Sequence, residues 1–527
     1  MHSDRPPLAV AAAIAAAGLL AALLLTRTTG VTYDEPPYLS FAWAYLHGGA
    51  GEAVREYPPL PSYARGSALA LAGASKPAPP AGLVTGAVEP HAFGQLFLFY
   101  NRVPAQTLLE AGRSVGILFF ALLLLALYRF GGVFPVVFAA LDPNLLAHFS
   151  LATTDGPFTC LFICSLVLWE SSPLYAGAAG GMALSSKATG LMLPLVYAWK
   201  GRANPKAVLT SCSTFVLACA FFYLPSGLSS LISMLSFRTA QMASPAPTYL
   251  FGHSYPHGHP LYFPAVLLMK STLPLLALSA YGLRDKRVRA FVLPAGTILL
   301  LAAMSARRQL GVRYVLPLFP LMAVSAGAAA AALWKEAGRA RLLCGALLAW
   351  HAASSLASLP QPLAYANEAF GGPANARRLM GDSNVDWGQG LPELNEFVAA
   401  HPGGLILSYF GRDCASRLGL VRQDAFSTPG PCPAGVVLPV EQVREWLAVS
   451  VTKAQGFYES GPPAFGWLAT RTPAAVVARS ILVYDVTADA GAHETLAGMY
   501  AATGAPAAAA REKARAALIR KRETPRR

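Results

Sequence analysis

Two adjacent carboxylates follow the first long apolar run of the chain. Asp34 and Glu35 stand in the motif TYDEP, a few residues after apolar residues 8–26. Ionisable groups are costly near a lipid bilayer and are retained there mainly for function, so this pair is a candidate acid–base centre. The structural alternative is a helix start, because acidic residues also favour the first turn of a helix.

A third carboxylate, Asp155, stands in the short motif ATTDGP between two apolar runs. Its structural alternative is again a helix cap, since a proline follows two residues later. If Asp155 lies beside Asp34, the two carboxylates face one pocket. Such a pocket could take a proton from a hydroxyl and stabilise charge, as glycosyl transfer requires.

Basic residues lie beside the same segments. Lys187 ends the motif SSK, and Arg308 and Arg313 flank the motif QLGV. A long basic side chain near the end of a span can simply reach the lipid headgroups. Arginine forks and lysine point charges also suit a phosphate group, so the three cations are candidate phosphate ligands.

Aromatic and polar motifs supply further candidates for substrate binding. Tyr57 stands in EYPPL, His259 and Tyr262 stand in GHPLYF, and Asp386 stands in DSNVDWGQ. Asn, Asp, Gln and Trp suit sugar hydroxyls and sugar faces, although the same residues also form turns. The three histidines at 253–259 have no zinc-site spacing. No metal site is predicted, and a divalent ion held by the carboxylates is left open.

The elements that position these residues are membrane helices. The chain is 54% hydrophobic and 13% charged, against about 25% charged in soluble proteins, which places it in the membrane class. Runs of the length of a spanning helix predict about 11 spans: 8–26, 112–129, 132–150, 157–170, 172–186, 188–200, 207–225, 263–283, 289–305, 314–334 and 342–359. The net charge of +14 is attributed to topology and to contact with membrane lipids. A nucleic-acid partner is not predicted.

Charge also predicts the orientation. With the N-terminus inside, Arg129 and the basic loops at 200–206, 284–289 and 335–341 all fall on the inner side, as the positive-inside rule expects. The outer side then receives 27–111, 151–156, 226–262, 306–313 and the chain beyond 360. Lys187, Arg308 and Arg313 run against this charge bias, which favours the phosphate interpretation.

Three regions follow from this pattern. Residues 1–359 form a transmembrane domain with a long first outer loop at 27–111. Residues 360–490 form a small extracytoplasmic α/β domain, with strands near 405–410 and 480–486 and helices near 391–400 and 440–450. Residues 491–527 form a basic Ala- and Arg-rich tail. Cys414 and Cys432 are a disulfide candidate if their domain lies outside.

Residues 8–390 resemble the bacterial GT-C class of polyprenyl-phosphate-sugar glycosyltransferases. That class is related to the protein O-mannosyltransferases and the lipid A aminoarabinose transferases. The resemblance rests on an ordered series of motifs: YDEP from 33, YPPL from 57, TTD from 153, SK from 186, GHPLYF from 258 with Lys270, VRYVLP from 312 and DSNVDWGQ from 382.

The resemblance implies a GT-C fold in the inner (plasma) membrane and an inverting transfer on its outer face. A sugar would move from a polyprenyl-phosphate donor to a hydroxyl of a protein or glycolipid acceptor. Asp34 would be the general base, Glu35 would support the site, and Asp155 would position the acceptor or Asp34.

The resemblance also implies a phosphate site formed by Lys187, Arg308 and Arg313. Many relatives carry a basic residue before Pro-Pro, where this chain has Tyr57, and Arg55 is the candidate substitute. No cofactor beyond the lipid-linked donor is implied.

Two other functions compete with the transferase. A transporter or flippase for lipid-linked glycans would place polar groups near the bilayer midplane and show repeated halves, and the sequence shows few such groups and no repeat. A non-catalytic assembly factor would tolerate the loss of Asp34.

Overall fold

The structure, a computed structural model, describes residues 8–48, 56–79, 89–336, 338–427, 430–459 and 463–523. Up to residue 379 it is mainly helical. The helices there are α1 (Leu8–Thr28), α2 (Glu35–Leu46), α3 (Pro59–Leu71), α4 (Pro90–Phe99), α5 (Ala105–Gly131), α6 (Val133–Ala140), α7 (Pro143–Phe149), α8 (Asp155–Trp169), α9 (Pro173–Leu184), α10 (Leu193–Lys200), α11 (Pro205–Tyr223), α12 (Leu228–Ala243), α13 (Tyr262–Lys270), α14 (Leu273–Gly282), α15 (Lys286–Ser305), α16 (Leu318–Lys335), α17 (Arg339–Leu356) and α18 (Ala376–Leu379). A small hairpin, β1 (Thr248–Leu250) with β2 (His253–Tyr255), precedes α13.

Five helices in the described ranges are long and apolar enough to cross a membrane: α1, α5, α11 with the turn that follows it, α15 and α16. The pair α13 and α14 adds a sixth span if its two helices, bent by 111°, are counted together. Large apolar side chains such as Leu24, Leu118 and Leu217 are exposed on α1, α5 and α11. A surface of this kind suits lipid tails, so the chain is a multi-pass membrane protein.

The predicted span 342–359 lies in α17, which has 18 residues but is not among the five, and several other predicted spans fold as shorter helices. Residues 132–150 break into α6 and α7 because Asp142 caps α7, where its carboxylate accepts hydrogen bonds from the N–H groups of Asn144 and Leu145. Residues 172–186 and 188–200 give α9 and α10, of 12 and 8 residues. The total of eleven spans therefore stays a prediction.

Within the described residues, the loop at 27–111 contains three helices, α2 to α4, and each has proline at one of its first two positions. Proline suits this position because its fixed φ is helical and its missing N–H has no partner there. Helix α4 crosses α2 closely at Gly94, where a Cβ atom would lie 2.3 Å from the carbonyl carbon of Pro36. The absence of a side chain at Gly94 therefore lets the start of α4 lie against the start of α2.

Beyond residue 390 the chain forms a five-stranded sheet with helices on both faces. The added elements are α19 (Leu391–Ala400), β3 (Gly404–Ser408), β4 (Gln423–Asp424), β5 (Glu445–Ser450), α20 (Val451–Gln455), β6 (Ala475–Val477), β7 (Ile481–Asp485), α21 (Ala490–Ala502) and α22 (Pro506–Glu523). The strand order is β4-β3-β5-β7-β6, with β3 parallel to its two neighbours and β7 antiparallel to β5 and β6.

Side chains alternate between the two faces of β3, as the pleat requires. Leu405 and Leu407 pack with Leu391 of α19, and Ile406 packs with Leu496 of α21. The predicted helix near 440–450 is wrong, because residues 445–450 form the central strand β5. That strand is buried on both faces, and such a strand lacks the alternation that would distinguish it from a buried helix.

The basic carboxyl-terminal segment packs on the same sheet. Within α22, Arg511 forms ion pairs with Glu445 and Glu512, and Arg515 Nε lies 3.1 Å from a Glu445 oxygen. His493 Nδ1 lies 2.6 Å from Glu512. All five side chains are buried, so residues 490–523 pack with the sheet and not as the separate tail predicted from their composition.

Candidate active site

A cavity of about 600 Å³ lies where helices α2 to α4 meet residues 382–459. Its walls combine acidic, basic and aromatic side chains. They include Tyr33, Asp34, Tyr57, His91, Asp155, Lys187, Arg238, Arg308, Arg313, Tyr314, Asp382, Trp387, Phe410, Lys453, Tyr458 and Glu459. Six residues predicted as site residues are thus brought together: Asp34, Asp155, Tyr57, Lys187, Arg308 and Arg313.

Asp34 is held by an arginine and does not cap α2. It immediately precedes that helix, yet its side chain makes no capping hydrogen bond. Arg313 Nη1 donates to Asp34 Oδ2 at 2.7 Å, and the same guanidinium lies 4.3 Å from the centre of the Trp387 ring. Burial raises the pKa of Asp34, but Arg313 and His91 outweigh it and lower the pKa to about 2. Asp34 is therefore an ionised carboxylate on the cavity wall.

Asp155 and Lys187 form a second ion pair. Asp155 begins α8, the residue before it makes no side-chain cap, and Lys187 Nζ lies 2.6 Å from Asp155 Oδ1. The ammonium group also lies 4.9 Å from the centre of the Tyr314 ring. Of the carboxylates on the cavity wall, Asp34 and Asp155 are thus each already paired with a cation.

Glu35 points away from the cavity, although it follows Asp34 directly. Its carboxylate accepts hydrogen bonds from Arg113 Nε at 2.7 Å and Arg113 Nη2 at 2.6 Å. The N–H groups of Thr32 and Ala152 donate to it as well, at 2.9 and 2.8 Å. Both side chains of the Glu35–Arg113 pair have 0% exposure. Glu35 therefore joins α2, α5 and the segment before α8, and has no direct path to a substrate.

Two arginines of the cavity wall form no ion pair with a carboxylate within the part of the chain that the structure describes. Arg308 lines the cavity and its Nε is buried without a hydrogen-bond partner. Arg238 on α12 donates to the side chain of Gln241 and to the backbone oxygen of Glu56, both uncharged acceptors. Sequence analysis missed Arg238, and the available signal was a helical pattern over 228–243 that brings one basic residue to an otherwise mostly uncharged helix.

A histidine on the cavity wall was also missed. His91 lies in the first turn of α4, and its Nε2 is 4.0 Å from Asp34 Oδ1. Its Nδ1 is 2.6 Å from Glu89 Oε1. Burial lowers the pKa of His91, but the two carboxylates outweigh it and raise the pKa above its ordinary value. The signal in the sequence was Glu-Pro-His, a typical helix start with a capping acid.

Three predicted binding residues do not line the cavity. The Tyr262 hydroxyl is buried and accepts a hydrogen bond from the Gly311 N–H at 2.9 Å. Asp386 accepts from the Thr452 N–H at 2.9 Å, and burial raises the pKa of its carboxyl to about 6. The backbone of His259 pairs with the Gln309 side chain. These contacts hold segments together around the cavity.

Tyr57 lines the cavity through its ring, which stacks on Phe41 at 4.6 Å between centroids. Arg55, the candidate substitute for the missing basic residue, lies outside the described residues.

A disulfide joins Cys414 and Cys432. The loop that it closes is bound to α4, since Gln95 Nε2 donates to the Arg412 oxygen at 3.0 Å and the Tyr100 hydroxyl donates to the Pro431 oxygen at 2.9 Å. The sheet region is therefore attached to the helix that carries His91.

The one metal-like cluster of the described residues lies outside the cavity. Glu445, His493 and Glu512 place ligand atoms within 4.8 Å of one another. Arg511 and Arg515 pair with these carboxylates, so the cluster already has its cations and does not fit a divalent ion. In the cavity, the carboxylates of Asp34 and Asp155 are likewise taken by Arg313 and Lys187.

No family model and no curated protein matches the chain. Among solved structures, the chain is similar to ArnT from Cupriavidus metallidurans bound to undecaprenyl phosphate, with 13% identity and a TM-score of 0.45 over 91% of this chain and 98% of that chain. The apo state of the same protein gives 13% identity and a TM-score of 0.45 over 90% and 97%. The roles of the cavity residues are therefore inferred from their own contacts.

Proposed function

We propose that the chain is an inverting glycosyltransferase of the GT-C type. It moves a sugar from a polyprenyl-phosphate donor to an acceptor hydroxyl on the outer face of the inner (plasma) membrane. The observation that carries the proposal is the cavity itself, where the ionised Asp34 shares one space with five basic side chains, Lys187, Arg238, Arg308, Arg313 and Lys453.

Asp34 is the general base. Its carboxylate takes the proton of the acceptor hydroxyl as the oxygen attacks the anomeric carbon, and the bond from that carbon to the lipid phosphate breaks on the opposite side. One displacement inverts the configuration. In the resting site Arg313 keeps Asp34 weakly basic, with a pKa of about 2. A donor phosphate that draws the guanidinium toward itself raises the basicity of Asp34 when the substrate is in place.

The cations bind the phosphate and stabilise the charge that it gains. A sugar phosphodiester carries one negative charge and the departing lipid phosphate carries up to two, so the transition state gains negative charge on phosphate oxygens. Within the described residues, Arg308 and Arg238 form no ion pair with a carboxylate, which suits them to this anion. Lys187 and Arg313 bind the same phosphate while each remains in contact with its carboxylate partner.

The acceptor is a hydroxyl of a protein or glycolipid, bound between the helical region and the sheet. Support comes from the aromatic side chains of Tyr33, Phe410 and Tyr458, which line the cavity and stack on one another, since aromatic residues suit sugar faces. The disulfide between Cys414 and Cys432 supports an extracytoplasmic location for the sheet, because disulfides persist in oxidising compartments.

Transfer of a radiolabelled sugar from polyprenyl-phosphate donors, in membranes that contain wild type or Asp34→Asn, tests the proposal. We expect transfer by wild type and a loss of about 100-fold or more in D34N, the scale of a general base. Asp285→Asn is the matched control, since Asp285 is exposed, caps α15 and lies outside the cavity.

Full activity of D34N would exclude Asp34 as the base. An absence of transfer by wild type from every donor offered would refute the transferase and favour a flippase or an assembly factor.

A further inference from the structure

One wall of the cavity places His91 between two carboxylates, Asp34 and the more exposed Glu89. His91 Nε2 is 4.0 Å from Asp34 Oδ1, and His91 Nδ1 is 2.6 Å from Glu89 Oε1. The side chains of Asp34 and His91 are 24% and 23% exposed, and that of Glu89, at the outer end of the row, is 55% exposed. The row therefore leads from the cavity to solvent.

The local fold fixes the position of His91. Glu89 caps α4, where its Oε2 accepts a hydrogen bond from the Ala92 N–H at 3.1 Å, and its other oxygen faces the imidazole. The close crossing at Gly94 holds the start of α4 against Pro36 and Pro37. The imidazole is thus positioned by a cap on one side and by the α2 contact on the other.

This arrangement selects one tautomer of the neutral ring. Because Nδ1 faces a carboxylate, it carries the proton and donates to Glu89, which leaves the lone pair of Nε2 directed toward Asp34. An ionised Asp34 makes no hydrogen bond to that lone pair. A protonated Asp34 can donate to it after a shift of about 1 Å toward hydrogen-bond distance.

The proposed transfer releases a proton that Asp34 retains poorly, since Arg313 favours the ionised carboxylate. We propose that His91, assisted by Glu89, removes this proton from Asp34 after each transfer and passes it to solvent. The inference rests on the proposed function, and it adds a route for the proton to the site described above.

The proton moves from the acceptor to solvent in three steps. The acceptor O–H bond breaks and its proton binds an Asp34 oxygen, while the acceptor oxygen bonds to the anomeric carbon and the lipid phosphate leaves with the electron pair. The proton then moves from Asp34 to His91 Nε2, which forms an imidazolium beside Glu89. Bulk water or buffer takes a proton from that imidazolium and restores the neutral ring.

The charges around His91 suit a transient imidazolium. Among the described residues, Asp34 faces it from the start of α2, Glu89 faces it from the start of α4, and Arg313 lies behind Asp34. The ring of Tyr33 lies 5.0 Å away between centroids. Two carboxylates face the ring directly and the cation does not, so the ring accepts a proton readily.

Steady-state transfer kinetics of His91→Ala and His91→Gln test this role. We expect kcat to fall about 100-fold with an unchanged KM for the donor, and a smaller fall in Glu89→Gln. Added imidazole should restore much of the rate of H91A, because it can fill the space of the lost ring. His401→Ala is the control for non-specific effects of imidazole, since His401 is exposed and lies outside the cavity.

A pH profile gives a second reading. The wild-type rate should fall as pH drops through the pKa of His91, because the imidazolium cannot accept a proton, and this limb should vanish in H91Q. Rescue by imidazole, together with loss of the fall in rate at low pH, would establish proton transfer through His91. Wild-type rates in H91A and H91Q would overturn this role of His91 while leaving the transferase intact. A lower rate that imidazole does not restore, with an unchanged fall in rate at low pH, would do the same. An inactive wild type would refute both proposals together.

Discussion

Replacement of Glu35 by glutamine should damage the fold more than the replacement of its neighbour Asp34. The Glu35 carboxylate accepts four hydrogen bonds, two from Arg113 and one each from the N–H groups of Thr32 and Ala152. Glutamine keeps one acceptor oxygen and places an NH₂ group against a donor. Arg113 would then lie fully buried with backbone carbonyls as its remaining partners.

Breaking a buried ion pair by removing one charge costs about 3–5 kcal/mol. We expect this loss in the free energy of unfolding of E35Q, measured by reversible unfolding in SDS after purification in mild detergent. D34N should change it by less than about 1 kcal/mol, because Asp34 is part-exposed, with 24% of its side chain accessible. The double variant E35Q/R113Q should lose less than the sum of the two single variants, since each single change leaves the other charge unpaired.

The pH dependence gives a further check. Burial raises the pKa of Glu35, but Arg113 outweighs it and lowers the pKa below its ordinary value. The ionised Glu35 therefore stabilises the fold above its unfolded pKa, and this contribution is lost as pH falls through its folded pKa. A stable E35Q with transfer reduced about 100-fold would refute the structural role and place Glu35 on the substrate.

Two further outcomes can be measured. Arg308→Gln should raise the donor KM roughly 10- to 100-fold with a smaller effect on kcat, since a hydrogen bond to a charged group is worth about 1.5–3 kcal/mol. The matched control Arg307→Gln changes an exposed neighbour outside the cavity. Equal effects of the two variants would contradict a specific phosphate contact. The double variant Cys414→Ser/Cys432→Ser opens a loop of sequence separation 18. It should lower the free energy of unfolding by about 3 kcal/mol and loosen the contact with α4, which thermal unfolding with and without reductant would detect. Melting temperatures unchanged in both conditions would contradict a stabilising disulfide.

Much of the architecture could be predicted from local pattern. Apolar run length located the long helices, and short β-like runs at 405–410 and 480–486 located β3 and β7. The strand β5 was predicted as a helix because it is buried on both faces and carries no alternation. The short helices at 132–150 depend on Asp142 as a cap, and a single capping residue inside an apolar run is a weak signal.

The site was harder to predict because its partners are distant in sequence. Residue type alone did not separate Asp34 from Glu35, and only the family resemblance implied different roles for them. Their environments are set by Arg313 and Arg113, which are distant in sequence. His91 belonged to a segment with no predicted element. The contacts of Asp386 and Tyr262 are with backbone N–H groups, and residue type alone does not distinguish such contacts from substrate binding.

The packing of α22 also constrains the order in which the chain folds. Glu445 is the buried carboxylate at the start of the central strand, and both of its arginine partners lie in α22, the last helix of the described chain. A sheet that closed before α22 emerged from synthesis would bury that charge without partners, at a cost of several kcal/mol. The sheet therefore reaches its native packing late. Because residues 382–459 form one wall of the cavity, the cavity is completed only after the membrane helices and the carboxyl-terminal helix have both been made.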